Sequence, residues 1–334
     1  MSELLKKLRK NTVVDAQLLK NSKYFDGTKK IPTKVPLLNL ALSGKFKGGL
    51  PDGILQIAAP PKHFKTNFML EIMHGFQTEK AGKDYIIILY DSELGSTPDY
   101  YEKAGIDTTR VDHRPITSVE QLKSDIANLL KDINEGDDVL ICIDSLGMLR
   151  SDKETQDAID EKHVADMTRA KALNSLFRII TGEAAIKQIP IIVINHSYQT
   201  LEMYSKEVAS GGRKTQYAAH TLLFITKAQE KEDDELAGFR FTLRAGLSRY
   251  VKENSTFPII VKFGHGIEKY SGIFDLALEY GFLVAEKQGW YKFKDAPVDA
   301  KALRRAAIEK DPTIMESFLN NPEFIATVEK SYSL

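Results

Sequence analysis

The sequence predicts an α/β protein whose central sheet is mostly parallel and is covered by helices on both faces. Short, almost continuously apolar runs alternate with segments of helical periodicity along most of the chain. Such runs are typical of strands that are buried on both faces, as in parallel sheets. Several of them end in polar or charged residues, and ligands bind beyond the strand ends of an open parallel sheet.

Composition and length limit the class of protein. The 334 residues, 43% apolar and 28% charged, exclude a disordered or collagen-like chain, and the length predicts about two domains. The one cysteine, Cys142, excludes a disulfide framework and a multi-cysteine zinc site. Because it lies in the apolar run Val139–Ile143, we expect an inert core thiol.

Charge and hydropathy exclude further classes. The 46 basic and 46 acidic side chains leave a net charge of zero, which argues against coating nucleic acid by bulk electrostatics alone. The longest apolar runs, such as Tyr85–Tyr90 and Ile189–Ile194, are far shorter than the roughly 18 residues of a membrane span. The N-terminus is charged from its third residue, unlike a signal peptide. We therefore expect a soluble protein of a reducing cytoplasm.

Residues 1–34 form the first predicted unit. They hold nine basic and three acidic side chains. Ser2–Arg9 and Asp15–Leu19 have helical spacing with leucines as their apolar contacts. So short an arm rarely builds a core of its own, and we expect it to dock on another surface. A solvated basic tail is the alternative.

Residues 35–270 form the predicted α/β core, and residues 271–334 form a small, mainly helical C-terminal unit. The predicted core strands are Gly53–Ala59, Tyr85–Tyr90, Val139–Ile143, Ile189–Ile194, Thr221–Thr226, Phe239–Leu243 and Thr256–Phe263. The predicted helices are Thr66–Lys80, Val119–Asn134 and Lys162–Thr181 in the core, and Gly272–Glu279, Ala300–Glu309, Thr313–Leu319 and Pro322–Glu329 in the C-terminal unit. Two stretches, 151–161 and 197–216, lack a regular pattern, and long irregular loops are usually functional or disordered.

The end of the first core strand resembles a phosphate-binding loop. That motif reads G-x-x-x-x-G-K-[ST] after a strand, and Lys65-Thr66 stand in the required place. Ala59 and Phe64 replace the two glycines. The chemistry needs backbone N–H groups at a helix N-terminus, a lysine on phosphate oxygens and a hydroxyl on Mg²⁺. Residues other than glycine still supply the N–H groups, so this segment alone leaves both a phosphate loop and an ordinary strand–turn–helix open.

Two further strands end in acids. Asp144 follows the apolar run Val139–Ile143, as in a Walker B strand whose aspartate holds the magnesium shell. Glu93 follows the run that ends at Tyr90, where it would polarise a water for attack on a γ-phosphate. Each acid alone is also compatible with a solvated turn. Together with Lys65-Thr66, however, they favour a nucleotide site at one edge of the sheet.

The order of these residues resembles the RecA/Rad51 family of recombinases. The similarity rests on Lys65-Thr66, on Tyr90–Glu93 with Pro98-x-Tyr100, on Ile143–Ser145 and on Ile194–His196. Pro36–Gly44, Lys153–Thr155, Asp166–Lys171, Ser175–Ile179 and Tyr270–Glu279 extend it, so that it spans about Lys23 to Tyr291. Within the family the chain is most similar to the recombinases of T-even-type bacteriophages, in which phenylalanine also occurs at the position of Phe64.

The resemblance implies a fold and an activity. The fold is an N-terminal oligomerisation arm, a RecA-like ATPase core and a small C-terminal domain. The implied activity is ATP hydrolysis, with ATP and Mg²⁺ bound between protomers of a helical filament on single-stranded DNA, coupled to strand exchange with a homologous duplex. A phage recombination mediator and a single-strand DNA-binding protein are implied as further partners, in the cytoplasm of a bacterial host.

The family motifs also assign site residues. The implied nucleotide-binding set is Ala59, Pro60, Pro61, Lys62, His63, Phe64, Lys65, Thr66, Asn67, Tyr100, Asp144 and His196. Lys65 would contact the β- and γ-phosphates, Thr66 would ligate Mg²⁺, and Asp144 would hold it through water. Glu93 would be the general base. Tyr100 resembles the tyrosine that stacks on adenine, with a packing aromatic as the alternative, and His196 resembles a γ-phosphate sensor.

The two irregular stretches, 151–161 and 197–216, match the DNA loops of the family. The implied DNA-binding residues are Arg169, Lys171, Arg178, Lys206, Gly211, Gly212, Arg213 and Lys214. Each cation is equally compatible with a solvated face, and the first loop is acidic rather than basic. One further departure concerns a pair of lysines that reach the neighbour's nucleotide in bacterial members. Leu247 and Arg249 stand in their places, so that only Arg249 would act as a catalytic cation across the interface.

Two other functions remain possible from the sequence. The missing glycines are compatible with a non-catalytic RecA-like scaffold. Retention of Lys65, Thr66 and Asp144 together with Glu93 argues against it. A RecA-fold hexameric helicase would share the strand ends but form closed rings, whereas Pro98-x-Tyr100 and Gly211-Gly212 favour the filament former.

Overall fold

A computed structural model describes residues 2–25, 30–160, 167–200, 207–232, 234–297 and 299–334 of the chain. The helices are α1 Glu3–Arg9, α2 Pro36–Ser43, α3 Lys65–Glu79, α4 Pro98–Lys103, α5 Val119–Asp132, α6 Asp152–Ile159, α7 Thr168–Lys187, α8 Arg213–Ala218, α9 Ile273–Glu279, α10 Arg305–Glu309, α11 Pro312–Leu319 and α12 Pro322–Tyr332. The strands are β1 Lys30–Ile31, β2 Leu50–Pro51, β3 Gly53–Ala59, β4 Tyr85–Asp91, β5 Val111–Pro115, β6 Asp138–Asp144, β7 Pro190–Gln199, β8 Glu207–Ala209, β9 Thr221–Glu232, β10 Glu235–Ser248, β11 Thr256–Lys262, β12 Gly266–Ile267, β13 Leu283–Lys287, β14 Trp290–Phe293 and β15 Leu303–Arg304.

The central sheet confirms the predicted α/β class. Its strands run in the order β12-β11-β10-β9-β3-β7-β6-β4-β5, and β8 adds to β7. The ladders from β9 to β5 are parallel, and those joining β9 to β10, β11 and β12 are antiparallel. The parallel part therefore presents the carboxyl ends of β3, β4, β6 and β7 at one edge, where ligands bind in open α/β sheets.

Helices cover both faces of this sheet because the strands are apolar on both sides. On one face, Leu55 and Ile57 pack in one cluster with Phe68 of α3. On the other face, Ile54 and Ala58 pack with α5 and α7. The alternation along β3 follows from the two-residue period of a strand. Cys142 is fully buried in this core, as predicted, and burial raises the pKa of its thiol.

Both stretches predicted to be irregular contain regular structure: 197–216 holds the end of β7, all of β8 and the start of α8, with 201–206 outside the described residues, and 151–161 is largely helical. Helix α6 begins after Ser151, whose side chain accepts a hydrogen bond from the Glu154 backbone N–H. The Glu154 side chain in turn accepts from the Ser151 N–H, which completes a capping box. The sequence signature S-x-x-E was therefore present at this helix start. Glu161 lies outside the described residues.

The N-terminal arm agrees with the prediction in its first part only. Helix α1 forms, but 15–18 is not helical and Leu19 begins a single 3-10 turn, Leu19–Asn21. Instead the Asp15 carboxylate accepts a 2.9 Å hydrogen bond from the Tyr24 hydroxyl, and the Gln17 side chain accepts one from the Lys23 N–H. These side-chain bonds hold the segment in a folded-back loop. Leu4 and Leu8 of α1 are exposed, and docking of the arm on another surface stays a prediction.

The C-terminal unit is mixed rather than mainly helical. Strands β13, β14 and β15 form a three-stranded antiparallel sheet beside helices α9 to α12. Most of β13 is exposed, so the apolar alternation that would identify it is weak. Phe324 of α12 stacks on Phe46 at 5.8 Å and meets Phe282 edge-on at 5.2 Å. The contact with Phe46 joins the unit to the core, and the contact with Phe282 lies within the unit.

None of the helices within the described ranges combines the length and the apolar character that crossing a membrane would require.

Candidate nucleotide site and DNA-binding groove

Four strand ends bring the predicted nucleotide residues together. Ala59 at the end of β3 pairs with His196 on β7, and Asp91 at the end of β4 pairs with Asp144 at the end of β6. The segments that follow β3 and β4 carry Lys65 and Glu93. Parallel pairing therefore places the candidate lysine, acids and histidine at one edge, as the sequence predicted.

The segment from Ala59 to Lys65 forms a loop that ends in the first turn of α3. Lys62 and Phe64 adopt left-handed backbone conformations, with φ of 61° and 63°. The buried Lys65 ammonium donates to the carbonyls of Ala59 and Pro60 at 3.1 and 3.0 Å. Burial lowers the pKa of Lys65. A cation folded over the N-terminus of a 15-residue helix is placed to meet an anion.

The residues between Pro60 and Phe64 offer backbone groups, rather than side chains, to the candidate phosphate site. Pro61 and Lys62 are exposed, and the His63 ring lies 2.9 Å from the Pro61 carbonyl. Left-handed residues such as Lys62 and Phe64 are the kind of backbone that builds a nest of N–H groups for phosphate oxygens. Its departures from glycine therefore have not prevented the turn.

Thr66 and Asp144 form a pair that fits a divalent cation. The Thr66 hydroxyl donates to Asp144 Oδ2 at 2.8 Å. Asp144 Oδ1 is buried and has no hydrogen-bond partner among the described residues. Burial, with the nearby charges of Glu93 and Asp91, raises the pKa of Asp144 to about 6. A hydroxyl beside an unpartnered carboxylate oxygen is the donor set that Mg²⁺ uses with phosphates and water.

Glu93 is positioned by a residue that the sequence analysis did not single out. The hydroxyl of the fully buried Ser145 donates to Glu93 Oε1 at 2.8 Å. Ser145 itself is held by Ser92, whose hydroxyl donates to the Ser145 carbonyl at 2.7 Å. The Glu93 carboxylate is 43% exposed and therefore accessible to a water. A carboxylate fixed in this way is suited to general-base work.

Asp91 organises the turn that carries Glu93. Its Oδ1 accepts hydrogen bonds from the N–H groups of Glu93 and Leu94 at 2.9 and 2.8 Å. Its Oδ2 lies 3.2 Å from His113 Nε2 on β5. An aspartate that bonds to the backbone two residues on is an Asx turn, so the signal was present in the sequence. The contribution of His113 depends on strand pairing and was not.

His196 lies between the acids and the second predicted DNA loop. Its Nε2 is 3.9 Å from Glu93 Oε1, and its Nδ1 is buried without a partner among the described residues. Burial and the Lys65 charge lower the pKa of His196, which favours the neutral form of the ring. The preceding Asn195 accepts from the His196 N–H and donates to the Ser210 carbonyl, both at 2.8 Å. The strand end is thereby tied to the residue before Gly211.

Tyr100 and Asn67 line a cavity of about 340 Å³ beside the phosphate loop. Tyr100 is 39% exposed, so its ring is available to a ligand. The opposite part of the wall comes from 265–267, at the turn between β11 and β12. Sequence reasoning missed that wall because it lies about 165 residues along the chain from Tyr100. The cavity combines the rings of Tyr100 and Phe64 with charged side chains such as Lys103, a mixed lining that can take a polar aromatic group such as a base.

Arg249 lies at the other edge of the sheet. It follows Ser248, which pairs with Thr221, and Thr221 pairs with Leu55 near the start of β3. The phosphate loop begins four residues further along β3, which is about 13 Å at 3.3 Å per residue. The exposed Arg249 therefore does not join the nucleotide site of its own protomer.

Three predicted DNA-binding cations meet in one groove. Lys171 and Arg178 of α7 and Lys214 of α8 line an open groove of about 760 Å³. The described residues that line it include no acid. Asn174, on the same face of α7, has a buried Oδ1 without a partner among the described residues. The exposed Tyr217 completes the wall. Asn174 and Tyr217 were not singled out from the sequence.

The other predicted DNA residues are placed differently. The Arg169 guanidinium donates to the carbonyls of Leu149 and Leu146 at 2.6 and 2.7 Å, so it holds the segment after β6. Gly211 and Gly212 have φ of 91° and 87°, which permits a turn ahead of α8 that other residues would resist. Lys206 lies outside the described residues, as does the side chain of Arg213.

Comparison with known proteins identifies the family of the chain. A family model described as the RecA N-terminal domain matches residues 2–268. The recombination and repair protein of Enterobacteria phage T4 is 48% identical over 270 residues, which are 81% of this chain and 68% of that protein. Protein RecA of Kineococcus radiotolerans is 28% identical over 290 residues, 85% of this chain and 79% of that protein. Protein RecA of Streptomyces rimosus is 26% identical over 268 residues, 79% of this chain and 68% of that protein. The resemblance found in the sequence is thus confirmed, and this chain belongs to the RecA family of ATP-dependent recombinases.

Proposed function

We propose that this chain is a DNA-dependent ATPase that polymerises on single-stranded DNA and exchanges that strand with a homologous duplex. The observation that carries the proposal is the meeting of Lys65, Thr66 and Asp144 with Glu93 at one sheet edge. A scaffold protein has no need of this set. Asn195 and Ser210 extend the same edge toward the second DNA loop.

Binding of ATP begins with an exchange of partners at Lys65. Its ammonium leaves the carbonyls of Ala59 and Pro60 for the β- and γ-phosphates, which the N–H groups of the loop also meet. Thr66 and Asp144 would hold Mg²⁺, Asp144 through water. That ion, when bound, neutralises charge on the phosphate oxygens. The base would enter the cavity beside Tyr100 and stack on its ring.

Hydrolysis depends on Glu93. Its carboxylate, oriented by the Ser145 hydroxyl and by the Asp91 turn, accepts a proton from the water that attacks the γ-phosphate. His196 lies 3.9 Å from that carboxylate and would contact the γ-phosphate itself. Loss of the phosphate would then change the position of His196 and of the loop that follows it.

Arg249 would act on the nucleotide of a neighbouring protomer. Its place at the far edge of the sheet supports a head-to-tail arrangement, in which that edge meets the nucleotide edge of the next copy. Contacts of this kind that do not close generate an open helix. Leu247, which pairs with Leu222, supplies no second cation. We therefore expect slower hydrolysis than in members with two lysines.

The DNA strand would follow the groove lined by Lys171, Arg178 and Lys214. Few cations contact each stretch of backbone, so a single protomer binds weakly. A filament repeats the groove along the strand, and the weak sites add by multivalency. The zero net charge keeps resting affinity low and makes DNA binding depend on assembly. A mediator protein and a single-strand DNA-binding protein are the further partners we propose, in the cytoplasm of a bacterial host.

The test combines imaging with hydrolysis. Single-stranded DNA, ATP and Mg²⁺ should give helical filaments, and a homologous duplex should then undergo strand exchange. Lys65→Ala should abolish nucleotide binding, whereas Glu93→Gln should bind ATP and form filaments but hydrolyse at least about hundred-fold more slowly. If both variants kept the parent's DNA-stimulated ATPase, the site assignment would be wrong. Absence of ATP affinity in the parent would favour a scaffold, and closed rings would favour a helicase.

A further inference from the structure

Phe64 occupies a backbone conformation that usually requires glycine. Its φ of 63° and ψ of 19° lie in the left-handed region, immediately before the first residue of α3. For a residue with a Cβ this conformation is unfavourable, and it persists only when the surroundings fix it. The phosphate-loop motif normally has glycine at this position, which removes the cost. Contacts with the surrounding residues must therefore hold Phe64 in its left-handed conformation.

The ring of Phe64 is held in an aromatic cluster. It stacks on Phe241 of β10 with 5.0 Å between ring centroids and 18° between planes. It meets Phe68, one turn along α3, edge-on at 5.7 Å. Phe68 and Phe241 are themselves edge-on at 6.1 Å and almost completely buried. Stacked and edge-on pairs are both favourable arrangements of aromatic rings. The loop is thus fastened to a strand that lies two positions from β3 in the sheet.

We propose that Phe64 is a positioning residue that preforms the phosphate loop by stacking on Phe241. The stack keeps the N–H groups of residues 64–66 pointed at the phosphate site before nucleotide arrives, so binding costs less ordering of the loop. Glycine, the residue found in the motif, would remove the backbone strain at this position. It would also remove the stack on Phe241 that holds the loop. The proposal rests on the proposed ATP site and adds a determinant of its affinity.

The decisive variant is therefore the change to the motif residue itself. Phe64→Gly should raise the Kd for Mg·ADP about ten-fold, since freeing one residue costs roughly 1.4 kcal/mol, a factor of ten. Phe64→Ala, which loses the stack and keeps the strain, should bind no better than Phe64→Gly. Phe64→Tyr keeps the stacked ring and should stay within about two-fold of the parent. Phe64 is half-buried at the surface, so these variants should fold, and thermal unfolding confirms it.

Two measurements separate loop positioning from other roles of the ring. Inorganic tripolyphosphate with Mg²⁺ lacks a base, so its affinity should fall by the same factor if Phe64 acts through the loop. In DNA-stimulated hydrolysis, KM for ATP should rise while kcat stays within about two-fold, because only uniform binding is lost. Phe263→Ala is the matched control, since Phe263 is 55% exposed and contacts Phe239 rather than Phe64. It should bind like the parent.

The outcomes are distinct. Phe64→Gly binding Mg·ADP as tightly as the parent, or more tightly, would overturn the proposal. Weaker Mg·ADP binding with unchanged tripolyphosphate binding would overturn it too, because the ring would then act on the base alone. A parent protein that binds neither ligand would instead refute the proposed ATPase function.

Discussion

Gly147 allows a sharp test of the role of His196. It lies in the turn after β6, and a Cβ built on it would fall 1.8 Å from His196 Cδ2 and 2.7 Å from Nε2. Non-bonded carbon atoms approach to about 3.5–4.0 Å, so in Gly147→Ala the imidazole must move by roughly 2 Å. The His196 side chain is 28% exposed, and we expect it to move toward solvent. The φ of Gly147 is not in the left-handed region, so the backbone at this position accepts alanine.

The size of the effect follows from that displacement. A misplacement of about 1 Å at a reacting centre costs roughly a hundred-fold in rate. We therefore expect kcat for DNA-stimulated ATP hydrolysis to fall about hundred-fold in Gly147→Ala. The three atoms nearest to the added Cβ all belong to His196, so the Kd for Mg·ADP should change by less than about three-fold. Thermal unfolding should show a folded protein, because the displaced ring lies at the surface of the site.

Steady-state hydrolysis with and without single-stranded DNA is the assay. Gly95→Ala is the matched control: Gly95 is two residues from Glu93, and a Cβ there meets nothing within 4 Å. It should hydrolyse ATP like the parent. If Gly147→Ala kept the parent's kcat and its dependence on DNA, the position of the His196 ring would not matter, and its assignment as a sensor would be refuted.

Three further changes test separate parts of the structure. Ser145→Ala removes the hydrogen bond to Glu93, so kcat should fall about ten- to hundred-fold at unchanged KM; an unchanged kcat would show that Ser145 does not orient the base. Burial and Arg249 lower the pKa of His220 from 6.5 to about 4, so the unfolded chain takes up a proton that the folded chain does not, and stability should fall by about 2 kcal/mol from pH 7 to pH 5. Urea unfolding of His220→Gln should show that much less pH dependence, and an equal dependence would contradict the assignment. Arg178→Ala should lower the slope of log affinity against log salt for filaments on single-stranded DNA by about one per protomer, whereas an unchanged slope would place the phosphate contact elsewhere.

The nucleotide edge was predictable because parallel strands carry their chemistry at their ends. Lys65, Glu93 and Asp144 each follow an apolar run. Strand pairing in the sheet places those runs side by side, which brings the three side chains to one edge. The residues that were missed act on a neighbour in space. Ser145 looks like an ordinary turn residue until β4 and β6 are paired. His113 gains a role only because β5 lies beside β4.

Local errors in the sequence analysis have equally local causes. Helix α6 was not predicted because the segment is acidic and lacks a regular apolar pattern, although the capping box at Ser151 marks its start. Asp15–Leu19 has helical spacing, but hydrogen bonds from Tyr24 and Lys23 to its polar side chains favour a loop. Side chains such as these compete with the backbone hydrogen bonds of a helix. The spacing of apolar residues does not show whether the helix or the loop forms.

Because the chain has no net charge, we expect its DNA affinity to depend more on coupling between the nucleotide site and the DNA site than on the charge of either site. On the proposed function, a protein without excess charge gains much of its DNA affinity by assembling, and we expect nucleotide to control that assembly. The structure provides a short route, since Asn195 bonds both to the His196 N–H and to the Ser210 carbonyl, and the Ser210 N–H donates to the His196 carbonyl at 2.8 Å. We therefore expect a shift of His196 on the γ-phosphate side to move the backbone one residue before Gly211, because Asn195 and His196 are both hydrogen-bonded to Ser210.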